Sequence, residues 1–433
     1  MIGRAVFLAL VGSLLLPTVS SGVPFTPGNL IVVRVGDGST PLTTATAPVF
    51  LEERSPATGA VLRTIPLPTA AQGDQGALTL SGTAFAEGAL QISPDGNYIV
   101  LTGYDQAPGG VPVTGARVVA RVDALGNIDT STHLGTAFQT TSPRGVATLD
   151  GTDLWVGGGT GGMVYTTFGS TSTPPSILAI PSSIRAVGIA NGQLYATSGT
   201  ASYTSVFSIG TGLPTSAGQV ANVLLSGSAS PYGFAFSEDG NVCYVADDGG
   251  TAGVQRLRRT AGLWAREATF GPPGRGLGAW WSEAPDVVLY WTGSTSLYRY
   301  RDDNGSSPSL TNAGLPPIAT AATNTAFRGL VVAPPADVTD VAGTAPPGLQ
   351  LASSVPNPCR DAAIIRFATA RPGRVSLRVY DTAGRLMTTL ADGDYPAGPH
   401  SVSLDARRLK SGLYFCTLGS GDAVVTRKLL RIR

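Results

Sequence analysis

A segment of nineteen residues, EGALQISPDGNYIVLTGYD (Glu87 to Asp105), returns in imperfect copies along most of the chain. It reads as strand, tight turn, strand. Ala89 to Ser93 and Tyr98 to Gly103 are apolar-rich runs of strand length, and Asp95-Gly96 between them suits the positive φ angles of a two-residue hairpin turn. PRGVATLDGTDLWVGGG turns at Asp150-Gly151, IRAVGIANGQLYATSG at Asn191-Gly192, and PYGFAFSEDGNVCYVAD at Asp239-Gly240. A fifth copy keeps both strands around Glu283-Ala284-Pro285-Asp286, and a sixth, FRGLVVAPP from Phe327, has a first strand only. Aligned on Gly88, Gly145, Ala186, Gly233, Gly276 and Gly329, the copies stand 57, 41, 47, 43 and 53 residues apart. Each interval holds about four short strands, which is the period of β-propeller blades. Tandem β-sandwiches fit less well, because no repeat reaches the roughly 100 residues of an independent sandwich.

The truncated sixth copy predicts how the ring closes. Near the N terminus, Leu30 to Val35, Val49 to Arg54 and Val61 to Leu67 read as three strands that lack an opening strand. Joining both ends of the domain would complete a blade and remove exposed sheet edges. The expectation is an all-β chain with a six-bladed propeller over residues 22–335; the 57-residue interval leaves room for a seventh blade. Thr69 to Gly82 reads as a polar connection into the first complete blade. Glu52 and Glu53 alternate across their strand, so they form no acid/base pair by themselves.

Composition agrees with a turn-rich β protein: 56 Gly, 32 Pro and only 13% charged residues. A net charge of +1 gives no long-range field for nucleic acid or acidic membranes. Residues 1–21 read as a signal peptide, with Arg4, an apolar run from Ala5 to Leu16, and Val19-Ser20-Ser21 before Gly22. The absence of a Cys after that run argues against a lipoprotein anchor, and no later segment is apolar enough for a membrane helix. Export to an oxidising compartment suits Cys359 and Cys416, which are expected to pair as a disulfide. Cys243, between Val242 and Tyr244, reads as a buried thiol.

Residues 336–348, rich in Pro, Ala, Thr and Gly, form a linker. Beyond it, residues 349–433 change character. Pro356-Asn357-Pro358, IIRF (Ile364 to Phe367), VSLRVYDTAGRLMTTL from Val375, the Ala397-Gly398-Pro399-His400 turn, SVSLD from Ser401, LKSGLYFCTL from Leu409 and the ending TRKLLRIR follow in order. This segment resembles the C-terminal sorting module of bacterial type IX secretion cargo and the related FlgD-type immunoglobulin-like domains; Leu404 stands where that family often has Trp. Physically, the runs make a small antiparallel immunoglobulin-like β-sandwich. The resemblance implies the secretion machinery of a Gram-negative outer membrane as a partner, and a cell-surface or extracellular destination.

Candidate sites are few. His133 and His400 lie too far apart in the repeat scheme to share a metal, so no metal or cofactor is expected. Asp247-Asp248 and Asp302-Asp303-Asn304 lack a full calcium-ligand spacing and read as solvated turns. The residue before each aligned position is Glu87, Arg144, Arg185, Tyr232, Arg275 or Arg328. If each first strand lines the channel, these six surround one mouth, where guanidiniums would favour a carboxylate, sulfate or phosphate. The commoner use of such repeat positions is structural, with each arginine pairing to a carboxylate or carbonyls of the next blade and holding the ring in register. Trp280-Trp281 suits sugar stacking or blade packing. Function divides accordingly between a secreted or surface binding module for a protein or glycan, a lactonase-like or lyase-like propeller enzyme, and a passive surface component.

Overall fold

The computed structural model describes residues 24–333 and 349–431, apart from 113–114, 226, 251–252, 282–285, 311–314, 352–358, 360–361, 370, 397 and 422. The expected signal peptide, the linker, Pro356-Asn357-Pro358 and most of the Glu283 turn lie outside these residues.

The repeats fold as anticipated into antiparallel four-stranded sheets, and the fold is a β-propeller. Four sheets stand alone, running outward from Pro143–Thr148, Ile184–Ala190, Pro231–Phe236 and Gly276–Trp280. The innermost strands, from Gln91–Ile92 through these four to Ala326–Val332, neighbour one another in chain order, and the last returns to the first. Closure occurs where the truncated copy predicted it. Leu30–Val35 pairs with Ala326–Val332, with Ile31 opposite Val331, and on its other edge with Thr46–Arg54, which carries Val61–Pro66.

Close approach between inner strands explains the aligned glycines. The Gly233 N–H donates to the Arg275 carbonyl at 2.8 Å, and the Gly329 N–H to the Gly88 carbonyl at 2.9 Å, so backbones of adjacent blades touch near the channel. A Cβ on Gly233 would lie 2.8 Å from the Arg275 oxygen; one on Gly329 would run into Gly88 and Leu90 backbone. Only glycine permits that approach.

Two local expectations are corrected. Thr79–Ser81, inside the anticipated polar connection, is a strand that pairs with both Thr46–Arg54 and Tyr98–Asp105, merging two four-stranded sets into one nine-stranded sheet. Most hairpins are also wider than two residues. In SPDGN, Gly96 alone has positive φ, and the Asp95 carboxylate holds the loop by accepting from the Asn97 N–H and side chain. The Ser93 Oγ, which donates to Asp95 at 2.5 Å, accepts from the Tyr98 N–H. SEDGN repeats this at Ser237, Asp239 and Asn241. Asn191-Gly192, where both φ are positive, matches the two-residue expectation.

The C-terminal module packs a three-stranded sheet (Leu349–Leu351, Ala362–Thr369, Gly398–Asp405) with a four-stranded one (Leu386–Tyr395, Gly373–Asp381, Gly412–Ser420, Ala423–Arg431). Alternating residues such as Ile365, Phe367, Leu377, Val379, Cys416 and Leu418 form its core. Cys359 and Cys416 lie in this one core as separate thiols, and burial pushes Cys416 up to about 12, with Cys359 adding to the shift. Cys243 is a buried thiol packed with Phe234 and Leu257, as expected.

Candidate functional site at the channel mouth

Inner strands that run parallel around the ring bring their first residues to one end of the channel. Glu87, Arg185, Tyr232, Arg275 and Arg328 line one small, solvent-open pocket, together with Phe85 and Gln91. Arg144 is not in that lining; burial lowers its pKa, and the nearby charge of Arg185 adds to the shift. Five of the six positions thus come together, and the six are not equivalent.

Arg328 is the most structural of the six. Only 2% exposed, it donates from Nη2 to the Gly82 carbonyl (2.8 Å) and from Nη1 to the Phe327 carbonyl (3.0 Å). Burial holds its pKa down to about 10. Nearby Glu87 is 4% exposed; its Oε1 accepts from the Tyr104 hydroxyl (2.6 Å) and its Oε2 from the Ser81 N–H (2.9 Å). Burial raises the Glu87 pKa despite those bonds. With both oxygens engaged, Glu87 is a poor candidate for a general base.

The remaining arginines clasp adjacent blades. Arg144 donates to Ser142 Oγ and Ser183 Oγ, and Arg185 to Ser230 Oγ at 2.6 Å; each of the latter two serines sits two residues before the next rim position. Arg275 pairs with Asp248 at 2.6 Å. Between the cations stand aromatic rings. Arg185 lies 4.4 Å from the Tyr232 centroid, Arg275 lies 5.7 Å from Tyr232 and 4.8 Å from Phe85, and Arg328 lies 4.5 Å from Phe85. The result is a ladder of guanidiniums and rings across the mouth. Sequence comparison between repeats missed Phe85 because it precedes the repeat; its only signal is a lone aromatic beside the rim acid.

Clasping does not exhaust the donors. The Nε atoms of Arg185, Arg275 and Arg328 are buried without a hydrogen-bond partner among the described residues. Burial lowers the pKa of Arg328 and of Arg144, and the charges of Arg275 and Arg185, respectively, add to the depression. Buried donors and crowded positive charge are both relieved by an anion.

The other candidates resolve into packing. Asp247 accepts from the Ala229, Ser230 and Gly249 amides and from Gln255, and Asp302 accepts from Tyr244, Arg256 and the Ser307 amide. Both are fully buried, which corrects their reading as solvated turns: the turn sequences hide carboxylates that bind distant strands. Trp281 lies against Tyr244, and Trp280 joins the cluster around Tyr290 and Phe327. Glu52 takes Arg34 and Arg54 while Glu53 takes Asn29 and the Thr26 amide, on opposite strand faces. His133 meets Asp105, and His400 packs on Phe367 and Tyr395. Among the described residues no group of three or more His, Cys, Asp or Glu side chains converges, and no helix is long and apolar enough to cross a membrane.

Residues 354–432 match the family of secretion system C-terminal sorting domains. No curated protein matches the chain. Among solved structures, the chain is similar to one from a nidogen/laminin complex (13% identity, 70% of this chain and 98% of that one, TM-score 0.45). It is similar also to a putative 6-phosphogluconolactonase from Bacteroides uniformis (11%, 69% and 99%, TM-score 0.38). A third is PorZ, a surface component of the type IX secretion system of Porphyromonas gingivalis (15%, 90% and 64%, TM-score 0.30).

Proposed function

Starting from a β-propeller that carries a type IX sorting domain and is exported to the cell surface or the extracellular space, we propose that it is a six-bladed binding module. Its ligand is an anionic group, carboxylate or sulfate, on a protein or glycan, received at the channel mouth. The supporting observation is the set of three buried guanidinium Nε atoms, without hydrogen-bond partners among the described residues, around one pocket. Arg185 and Arg275 supply the charge, while Tyr232 and Phe85 supply faces for an apolar or sugar ring. Arg328 and Glu87 hold the rim in shape.

Thermal shift of the mature chain against sulfate, polygalacturonate, a sulfated glycan and an acidic peptide tests the reading. At least one of these raises the melting temperature in a salt-sensitive manner, and Arg185→Ala with Arg275→Ala removes the response. A response unchanged in that double variant, or no response to any anion, refutes it.

A further inference from the structure

The polarity of the inner strands fixes where the C-terminal module is tethered. Arg144 stands near the start of Pro143–Thr148 and Arg328 near the start of Ala326–Val332, both at the arginine-lined mouth. The ends of those strands therefore lie on the opposite face, about 20 Å away for a strand of six residues. Two things emerge on that face: the hairpin that carries Asp150 and Asp153, and the chain itself, which leaves the ring after Val332.

On that hairpin the carboxylates are arranged for a cation. Asp150 Oδ1 accepts from the Thr152 N–H at 3.1 Å, and Asp153 Oδ1 from the Tyr165 hydroxyl at 2.7 Å. Each aspartate thus keeps one oxygen for its own blade. The other two oxygens converge on Arg366 Nη1, at 2.9 Å from Asp150 Oδ2 and 3.3 Å from Asp153 Oδ2. Arg366 belongs to the C-terminal module, in the strand Ala362–Thr369. Ile365 and Phe367 on either side turn into the module's core, so Arg366 points out of the sandwich. The three-stranded sheet therefore offers this arginine on its outer face, and the hairpin offers a preset pair of carboxylates.

We propose that the module docks on the face of the propeller opposite the arginine-lined mouth, with Arg366 seated between Asp150 and Asp153 as its latch. Strand polarity and the latch contact are independent observations, and both select the same face. While the module remains attached, the mouth is left uncovered and points away from whatever holds the module. This docking stands whether or not the mouth binds an anion.

The test uses the full mature chain. Arg366→Asp should lose amide protection in the 149–153 hairpin by hydrogen exchange, leave the mouth segment 82–88 unchanged, and raise the rate of proteolysis between residues 334 and 348 at least threefold at low salt. Asp150→Asn with Asp153→Asn should give the same changes from the propeller side, which guards against a folding defect in the module. Pairing Arg366→Asp with Asp150→Arg should restore wild-type protection. Arg185→Ala, which addresses the mouth alone, should alter neither hairpin protection nor proteolysis between residues 334 and 348. Unchanged hairpin protection and proteolysis in both single-side variants overturns the docking, as does loss of protection at the mouth in place of the hairpin.

Discussion

Replacing Arg328 with alanine separates scaffold from binding surface within the same ring. The guanidinium is 2% exposed and donates to two backbone carbonyls, at Gly82 and Phe327. Hydrogen bonds from a charged donor are worth about 1.5–3 kcal/mol each. Alanine would leave both carbonyls buried without this donor, open a void against Phe85, and strip Glu87 of a nearby cation that favours its charged form. Together these cost about 3–5 kcal/mol. A domain of about 300 residues unfolds with an entropy of about 0.6 kcal/mol per kelvin, so Arg328→Ala should lower the calorimetric midpoint by about 6 °C. Arg185→Ala removes a partly exposed side chain bonded to Ser230 Oγ and should cost about 1 kcal/mol, under about 2 °C. Equal losses in the two variants, or a fall below about 2 °C for Arg328→Ala, would refute the division of the rim into a structural and a ligand-facing part.

Gly329→Ala forces a Cβ into the Gly88 and Leu90 backbone at the closing junction, so it should destabilise by about 1–3 kcal/mol; an unchanged denaturation midpoint would contradict the close approach. Burial raises the Glu87 pKa in the fold, so its contribution is most favourable below the unfolded value near 4.5 and is lost as pH rises through the folded value. Between pH 7 and pH 5 the melting temperature of the wild type should therefore gain relative to Glu87→Gln, and parallel pH profiles would exclude the assignment. Cys359 and Cys416 share one core and face an oxidising compartment after export. A disulfide between them should appear in a non-reducing peptide map, and closing the 57-residue loop should stabilise the module by roughly 4 kcal/mol. Insensitivity of its melting to reductant would count against the bond.

What could be read without coordinates was what is local or repeated. A strand-turn-strand pattern with a fixed period reveals both its own hairpin and its equivalence to its neighbours, so the inner strands and the closing of the ring by its two ends were accessible. What escaped depends on partners remote in the chain. Asp302 is read correctly only once Tyr244 and Arg256 are brought beside it, 58 and 46 residues away. Thr79–Ser81 is too short to show alternation and is a strand only because two neighbours offer edges to it. Phe85 lies outside the repeat, so no comparison among copies could raise it. Likewise, equal sequence positions did not mean equal environments: Arg328 is enclosed by the Gly82 loop, while Arg185 is only partly buried.

The seam between the two ends of the propeller decides when the ring can be complete. Leu30 meets Arg54 on one edge, but its other edge finds its partner only in Val332, some three hundred residues later. Until then the earliest strand presents a bare edge, and the wheel cannot latch from its leading end alone. Closure thus waits for almost the whole propeller, and a chain cut short of Ala326 would leave an open-edged arc where a finished ring should stand.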